Sequence, residues 1–215
     1  MHMHFWGNIM KKGLFITVEG MDGSGKTTQI GLMSSYLKDK GYEVVLTREP
    51  GGTIIGEKIR NIILDPQNSG MCDAAEMLLY ASARAQLVGE VIKPSVDSGK
   101  IVICDRFADS SYVYQGFGRG IDFKVIEDAN RAALDGISPD ITIFLDIRPE
   151  LALGRRLAAT GADRIENEKI EFHLRVYSGY KKLASLYCDR IKSVESSRSI
   201  EDIAQDIRRL LDGLL

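Results

Sequence analysis

Gly13-Leu14-Phe15-Ile16-Thr17-Val18-Glu19 runs directly into Gly20-Met21-Asp22-Gly23-Ser24-Gly25-Lys26-Thr27. The first run is apolar and β-branched, as a strand buried on both faces of a parallel sheet should be. The second matches G-x-x-x-x-G-K-[ST], a loop whose backbone N–H groups turn onto phosphate oxygens. In that motif the lysine reaches the β- and γ-phosphates and the hydroxyl serves a divalent cation. After it, Ile30, Met33 and Leu37 recur at helical spacing, and Gly41 ends the run. Strand, loop and helix in that order are the context the motif requires.

The same alternation continues outward. Strands are expected at Tyr42–Leu46, Ile101–Cys104, Ile141–Leu145 and Ile191–Val194. Helices are expected at 54–64, 72–96, 123–134, 149–158, 170–187 and from 199 onward. Pro94 predicts a kink or an early end in the long second helix of that set. Five strands alternating with helices predict an α/β fold, a five-stranded parallel sheet with helices on both faces. Ligands in such sheets bind beyond the carboxyl ends of the strands. Four of those ends carry charge or glycine: 20–27, 47–53, 105–106 and 146–148.

The chain has 215 residues, 44% hydrophobic and 27% charged, which suits one globular domain. A formal net charge of −2 argues against polyanion binding, so no nucleic-acid partner is expected. No apolar run approaches the roughly 18 residues of a membrane span. Cys72, Cys104 and Cys188 form no metal or pairing pattern, which reads as a reduced, intracellular chain. Residues 1–10, with His2, His4 and Trp6, read as an extension ahead of the domain, disordered or a cloning addition. The domain is assigned to 11–215, with a lid at about 155–168.

Chemistry is read from the strand ends. Asp105 follows an apolar strand and suits a divalent cation shared with Thr27; capping of the next segment is the alternative. Asp146 reads as a helix cap. Arg48 and Arg106 end two different strands, and their planar guanidinium groups suit a second phosphate facing the loop. Arg155, Arg156 and Arg164 bracket a polar stretch able to fold over a nucleotide, while Arg155 also suits a helix C-terminus. Tyr80 and Arg84 stand four apart on one helix face, able to offer a base a plane and a fork. From spacing alone Tyr80, Tyr112 and Tyr114 read as core.

Three segments are more specific than any of these: Gly20–Thr28, Thr47-Arg48-Glu49-Pro50-Gly51-Gly52-Thr53, and Asp105-Arg106-Phe107-Ala108-Asp109-Ser110-Ser111-Tyr112-Val113-Tyr114-Gln115-Gly116. With Asp163-Arg164-Ile165-Glu166, they resemble the thymidylate kinase family over nearly everything from Lys12 to Leu215. The resemblance implies the P-loop nucleoside-kinase fold and transfer of the γ-phosphoryl group of ATP to dTMP, giving dTDP and ADP for dTTP synthesis. It also implies Mg²⁺, a homodimer and a cytoplasmic enzyme.

The resemblance further implies an ATP site at Gly20, Asp22, Gly23, Ser24, Gly25, Lys26, Thr27 and Thr28, with Thr27 and Asp105 on the metal. It implies a dTMP site at Asp22, Arg48, Glu49, Tyr80, Arg84, Arg106, Ser111, Tyr114 and Gln115. Arg48 and Arg106 would hold the phosphate, Tyr80 and Arg84 the base, and Tyr114 would lie near the deoxyribose 2′ carbon. Some members carry a catalytic arginine in the loop itself, at the position of Gly23 here. The charge must then come from the lid, so Lys26, Arg48, Arg106, Arg156 and Arg164 form the catalytic set. The alternatives are a kinase for another nucleoside monophosphate, or a P-loop switch with a protein partner. The chain carries no N-K-x-D guanine-reading motif.

Overall fold

A computed structural model describes residues 13–157 and 163–215, with the backbone alone at Arg156 and Leu157. The proposed extension at 1–10 therefore lies outside the described residues, as do 158–162 of the expected lid.

Five strands form one sheet: β1 (Leu14–Glu19), β2 (Val44–Arg48), β3 (Ile101–Asp105), β4 (Ile141–Asp146) and β5 (Ile191–Glu195). Their order is β2-β3-β1-β4-β5 and every pairing is parallel. From β1 the chain crosses to the edge strand β2; from β3 it crosses the opposite way, past β1 to β4. The crevice between β1 and β3 is thus the topological switch point, where such sheets bind ligands.

Side-chain alternation along the strands divides the molecule into two faces. Ile16 and Val18 of β1, with Ile101, Ile103, Ile141, Ile143 and Leu145, meet α1 (Lys26–Asp39) and α9 (Ile200–Asp212). Ile30, Met33 and Leu37 of α1 pack there against Ile203, Ile207 and Leu211 of α9. The opposite face bears Phe15, Val102 and Cys104. It is covered by α3 (Asp73–Leu87) with α4 (Lys93–Asp97), and by α8 (Ile170–Leu186). Thr17 and Glu19 share the phase of Phe15. A buried carboxylate is thereby set on the α8 side of the crevice. Among the described residues the remaining α-helices are α2 (Ile54–Leu64), the short α5 (Ala108–Ser111), α6 (Phe123–Leu134) and α7 (Pro149–Leu157).

The structure differs from expectation in two places and gives structure to one segment the sequence left unassigned. β2 is shifted to 44–48, because Val44 to Arg48 pair in register with Ile101 to Asp105, while Tyr42 N–H is taken by Leu37 O. The long helix ends as α at Leu87. A π-helical turn over Val88–Ile92 bridges it to α4, which begins just before Pro94. Such a turn accommodates the N–H that proline lacks. The Ser/Tyr/Gly-rich segment after β3 is helical, α5 continuing into π-helical turns over Tyr112–Gly118.

Candidate active site

The loop between β1 and α1 has Gly20, Gly23 and Gly25 at positive φ, and Gly25 is the N-cap of α1. Its N–H groups and the helix N-terminus make an anion cradle. Lys26 is buried and donates to Gly20 O at 3.1 Å and Met21 O at 3.2 Å. Its Nζ lies 3.7 Å from Asp22 and 4.0 Å from Asp105. Burial, then Arg106, lowers its pKa, against the pull of Asp22 and Asp105. One cavity gathers Gly23, Gly25, Lys26, Thr27, Thr28, Arg48, Asp105 and Arg155. Ser24 is buried in the loop wall.

Asp105 Oδ1 is buried with no hydrogen-bond partner, and Thr27 is exposed beside it in the first turn of α1. An orphaned carboxylate oxygen next to a free hydroxyl suits a hard cation with oxygen ligands. Asp146 does something other than the expected capping. Tyr177 donates to its Oδ1 at 2.9 Å and Lys181 to its Oδ2 at 2.5 Å, tying β4 to α8.

A second cavity adjoins the first and is lined by Tyr80, Arg84, Ser111, Tyr114, Gln115, Leu64, Asp163 and Ile165. Asp22, Glu49, Arg60 and Arg106 line both. Arg106 sits at φ 68°, a conformation non-glycine residues rarely take. Glu19 fixes the backbone after it: Phe107 N–H donates to Glu19 Oε1 at 2.8 Å, and the hydroxyls of Ser110 and Tyr180 donate to Oε2. Burial, then Asp109, raises the Glu19 pKa. The Arg106 guanidinium donates to Asp22 at 2.9 Å and Tyr180 OH at 3.2 Å, and lies 5.1 Å over the Tyr114 ring.

Arg48 is half exposed and grips Glu57 through Nη2 at 2.8 and 3.0 Å. Arg84 is wholly buried, and protein acceptors take all its N–H groups. Nε and Nη2 reach Glu49, Nη1 reaches Ser111 and Asn130, and Nη2 also reaches Phe107 O. It is a wall of the cavity whose donors are already engaged. Tyr80 and Tyr114, which spacing alone puts in the core, both line this cavity.

Arg164, expected to be catalytic, lines neither cavity, although its neighbours Asp163 and Ile165 line the second; its own guanidinium is engaged by the protein. Its Nη2 donates to Glu76 at 2.6 Å and its Nε to Ile63 O at 2.7 Å, beneath α2 and α3. A buried guanidinium needs a carboxylate, and Glu76 supplies one on the inner side of α3. The Arg156 side chain lies outside the described residues.

Sequence reasoning passed over Arg60, Glu76 and Glu19. All three leave the same kind of trace, a charge in phase with an apolar stripe. Gly56, Arg60 and Ile63 share one face of α2; Glu76, Tyr80, Ala83 and Leu87 share one face of α3. Also unforeseen is a recess beside the loop, where Arg155 Nη1 donates to Ser196 O at 3.0 Å and Arg198 and Ile200 complete the wall.

Comparison with known proteins decides the family. A family model described as thymidylate kinase matches residues 18–207. The chain belongs to the thymidylate kinase family. A thymidylate kinase of Symbiobacterium thermophilum is 48% identical over 202 residues, covering 94% of each chain. One from Pelotomaculum thermopropionicum is 48% identical over 206 residues, covering 95% of each. The crystal structure of thymidylate kinase from Ehrlichia chaffeensis superposes with a TM-score of 0.78 at 35% identity, covering 93% of this chain and 98% of that one. The fold is thus the P-loop kinase fold of this family.

Proposed function

We propose that this chain transfers the γ-phosphoryl group of ATP to dTMP, giving dTDP and ADP. The observation that carries the reading is the seam of Asp22, Glu49, Arg60 and Arg106 between a phosphate-loop cavity and a cavity walled by Tyr80 and Tyr114. Two ligands seated in these cavities would meet phosphate to phosphate across that seam. The donor triphosphate lies along Gly20 to Thr28 with Lys26 on its β- and γ-phosphates. Its base fits the recess between Arg155 and Ser196–Ile200.

The acceptor phosphate is mostly dianionic at pH 7, its second pKa being about 6. It therefore needs no general base. An acceptor phosphate oxygen forms the new bond to the γ-phosphorus as the bond to the β–γ bridging oxygen breaks, and ADP leaves. The chemical difficulty is repulsion between two polyanions, so catalysis is positioning plus charge. Arg106 and Arg48 hold the acceptor phosphate, exchanging the carboxylates of Asp22 and Glu57 for it. Arg60 lines the same seam and donates to Pro50 O at 3.0 Å. Burial, then Arg48, lowers the Arg60 pKa, as expected where cations converge on an anion site. Lys26 follows the charge moving onto the β–γ bridge, with Arg155 and Arg156 closing the donor side. Mg²⁺, held by Thr27 and Asp105, would neutralise the β- and γ-phosphates.

The acceptor base lies against Tyr80, its edge toward Ser111 and Gln115, with Tyr114 and Asp22 by the sugar. Among the described residues no helix is long and apolar enough to cross a membrane; a cytoplasmic homodimer fits this reading. The test is ADP release with ATP and a panel of nucleoside monophosphates. dTMP should give the highest kcat/KM, and a better acceptor in the panel would overturn the assignment.

A further inference from the structure

Ser111 and Gln115 are uncharged polar side chains that line the acceptor cavity, and each is fixed by a buried charge. Arg84 Nη1 donates to Ser111 Oγ at 2.9 Å. Arginine has donors only, so the serine hydroxyl proton is left to point elsewhere. Gln115 Nε2 donates to Glu76 Oε1 at 3.0 Å. An ionised carboxylate accepts only, so the amide must turn its nitrogen toward Glu76 and its carbonyl away. Among the described residues no protein donor takes that carbonyl.

Glu76 is only 1% exposed and is held from three sides. Besides Gln115, it accepts from Arg119 at 3.0 and 3.2 Å and from Arg164 at 2.6 Å. Arg119 is anchored in turn by Glu168 at 2.5 Å, and Arg164 by Ile63 O. Two arginines keep the carboxylate charged, so its polarity toward Gln115 is not free to reverse.

We propose that Glu76 is a specificity-positioning residue: through Gln115, and with Arg84 acting on Ser111, it gives the cavity one acceptor and one donor in fixed places. That edge complements a lactam, a ring N–H beside a C=O. Thymine and uracil carry this pattern at N3 and its flanking carbonyls. Cytosine presents a lone pair at N3 and an amino group beside it, the reverse polarity. The inference rests on the proposed pyrimidine monophosphate acceptor and adds how its base is selected. Leaving buried polar groups unpaired is the strong form of discrimination, on the order of 10³-fold or more.

The test measures kcat/KM for dTMP, dUMP and dCMP, with KM for ATP, in the wild type and in Glu76→Gln. In the variant, Arg119 and Arg164 claim the new carbonyl oxygen, so the new amide nitrogen faces Gln115 and turns it over. The dTMP:dCMP ratio should then fall by at least ~10-fold, while the dTMP:dUMP ratio and KM for ATP stay within about 2-fold. An equal loss for all three acceptors would overturn the proposal and leave Glu76 a purely structural residue. If Glu76→Gln does not fold, Gln115→Met answers instead: Glu76 stays, the amide goes, and retention of the dTMP:dCMP ratio overturns the proposal. A wild type that does not favour dTMP overturns the acceptor assignment itself, a separate failure read from the same panel.

Discussion

Lys26 is buried at the start of α1. It is held by two backbone carbonyls and faces Asp22 and Asp105, while burial works against its ionised form. That desolvated charge is there for a ligand. Lys26→Ala should therefore lower kcat on the order of 10²–10³-fold or more, with the circular dichroism spectrum unchanged. Near-normal turnover would remove the loop from the mechanism. Gly23 makes a different residue-scale argument. Its φ is +83°, and a Cβ there would lie 2.1 Å from Ala152 O of α7. Gly23→Ala should shift the loop or α7, raising KM for ATP at least several-fold and costing about 1–3 kcal/mol in stability. Most residues at strand ends were legible in the sequence, because a charge directly after an apolar strand has few places to go. Arg164 was not, because its neighbours in sequence do not reveal that Glu76 waits beneath α3.

At the scale of elements, hydrophobic period located the strands and most helices, and its errors were local. β2 slid two residues because parallel pairing with β3, not its own apolar run, sets its ends. The π-helical turns at 88–92 and 112–118 have no period of their own to read. The coupling of elements was also hidden. Glu76 ties α3 to the turns at 112–118 and to the segment at 163–168 that walls the acceptor cavity. Burial pushes its pKa up, but Arg119, Gln115 and Arg164 together hold it below the ordinary 4.5. The sign follows: a carboxylate depressed in the folded state binds its proton sooner in the unfolded chain. Its stabilisation is present above the unfolded value and is lost as pH falls through the folded one. Removing one partner of a buried pair costs about 3–5 kcal/mol. Glu76→Gln, which keeps an acceptor oxygen, should fall at the low end, lowering Tm by roughly 6–12 °C at pH 7. The gap should narrow steadily below pH 4.5 in thermal scans; a gap independent of pH would show that Glu76 is uncharged in the fold.

For the whole molecule, the sheet order makes one crevice, and α2 and α3 wall its acceptor side while packing against each other. Their inner faces carry Arg60, Ile63, Glu76 and Arg84. Their outer faces are apolar where solvent would be expected: Ile55 and Ile62, seven apart on α2, are 50% and 47% exposed, and Leu78 on α3 is 54% exposed. Ala74 and Ser82, one turn either side of Leu78, keep that face small-sided. Exposed apolar side chains clustered on two neighbouring helices suit another pair of helices, with Lys58 the charge that shares the α2 face. With a net charge of only −2, self-association meets little overall repulsion. A stable dimer through these faces needs roughly 1,200 Å² or more of buried surface. Light scattering after size exclusion should give twice the chain mass for the wild type. Leu78→Glu should give the single-chain mass, because two carboxylates would be buried at a face related by symmetry. Since the same helices hold Tyr80 and Arg60, the monomeric variant should lose affinity for dTMP more than for ATP. A wild type that stays monomeric at micromolar concentration would leave these faces to solvent and detach the acceptor site from assembly.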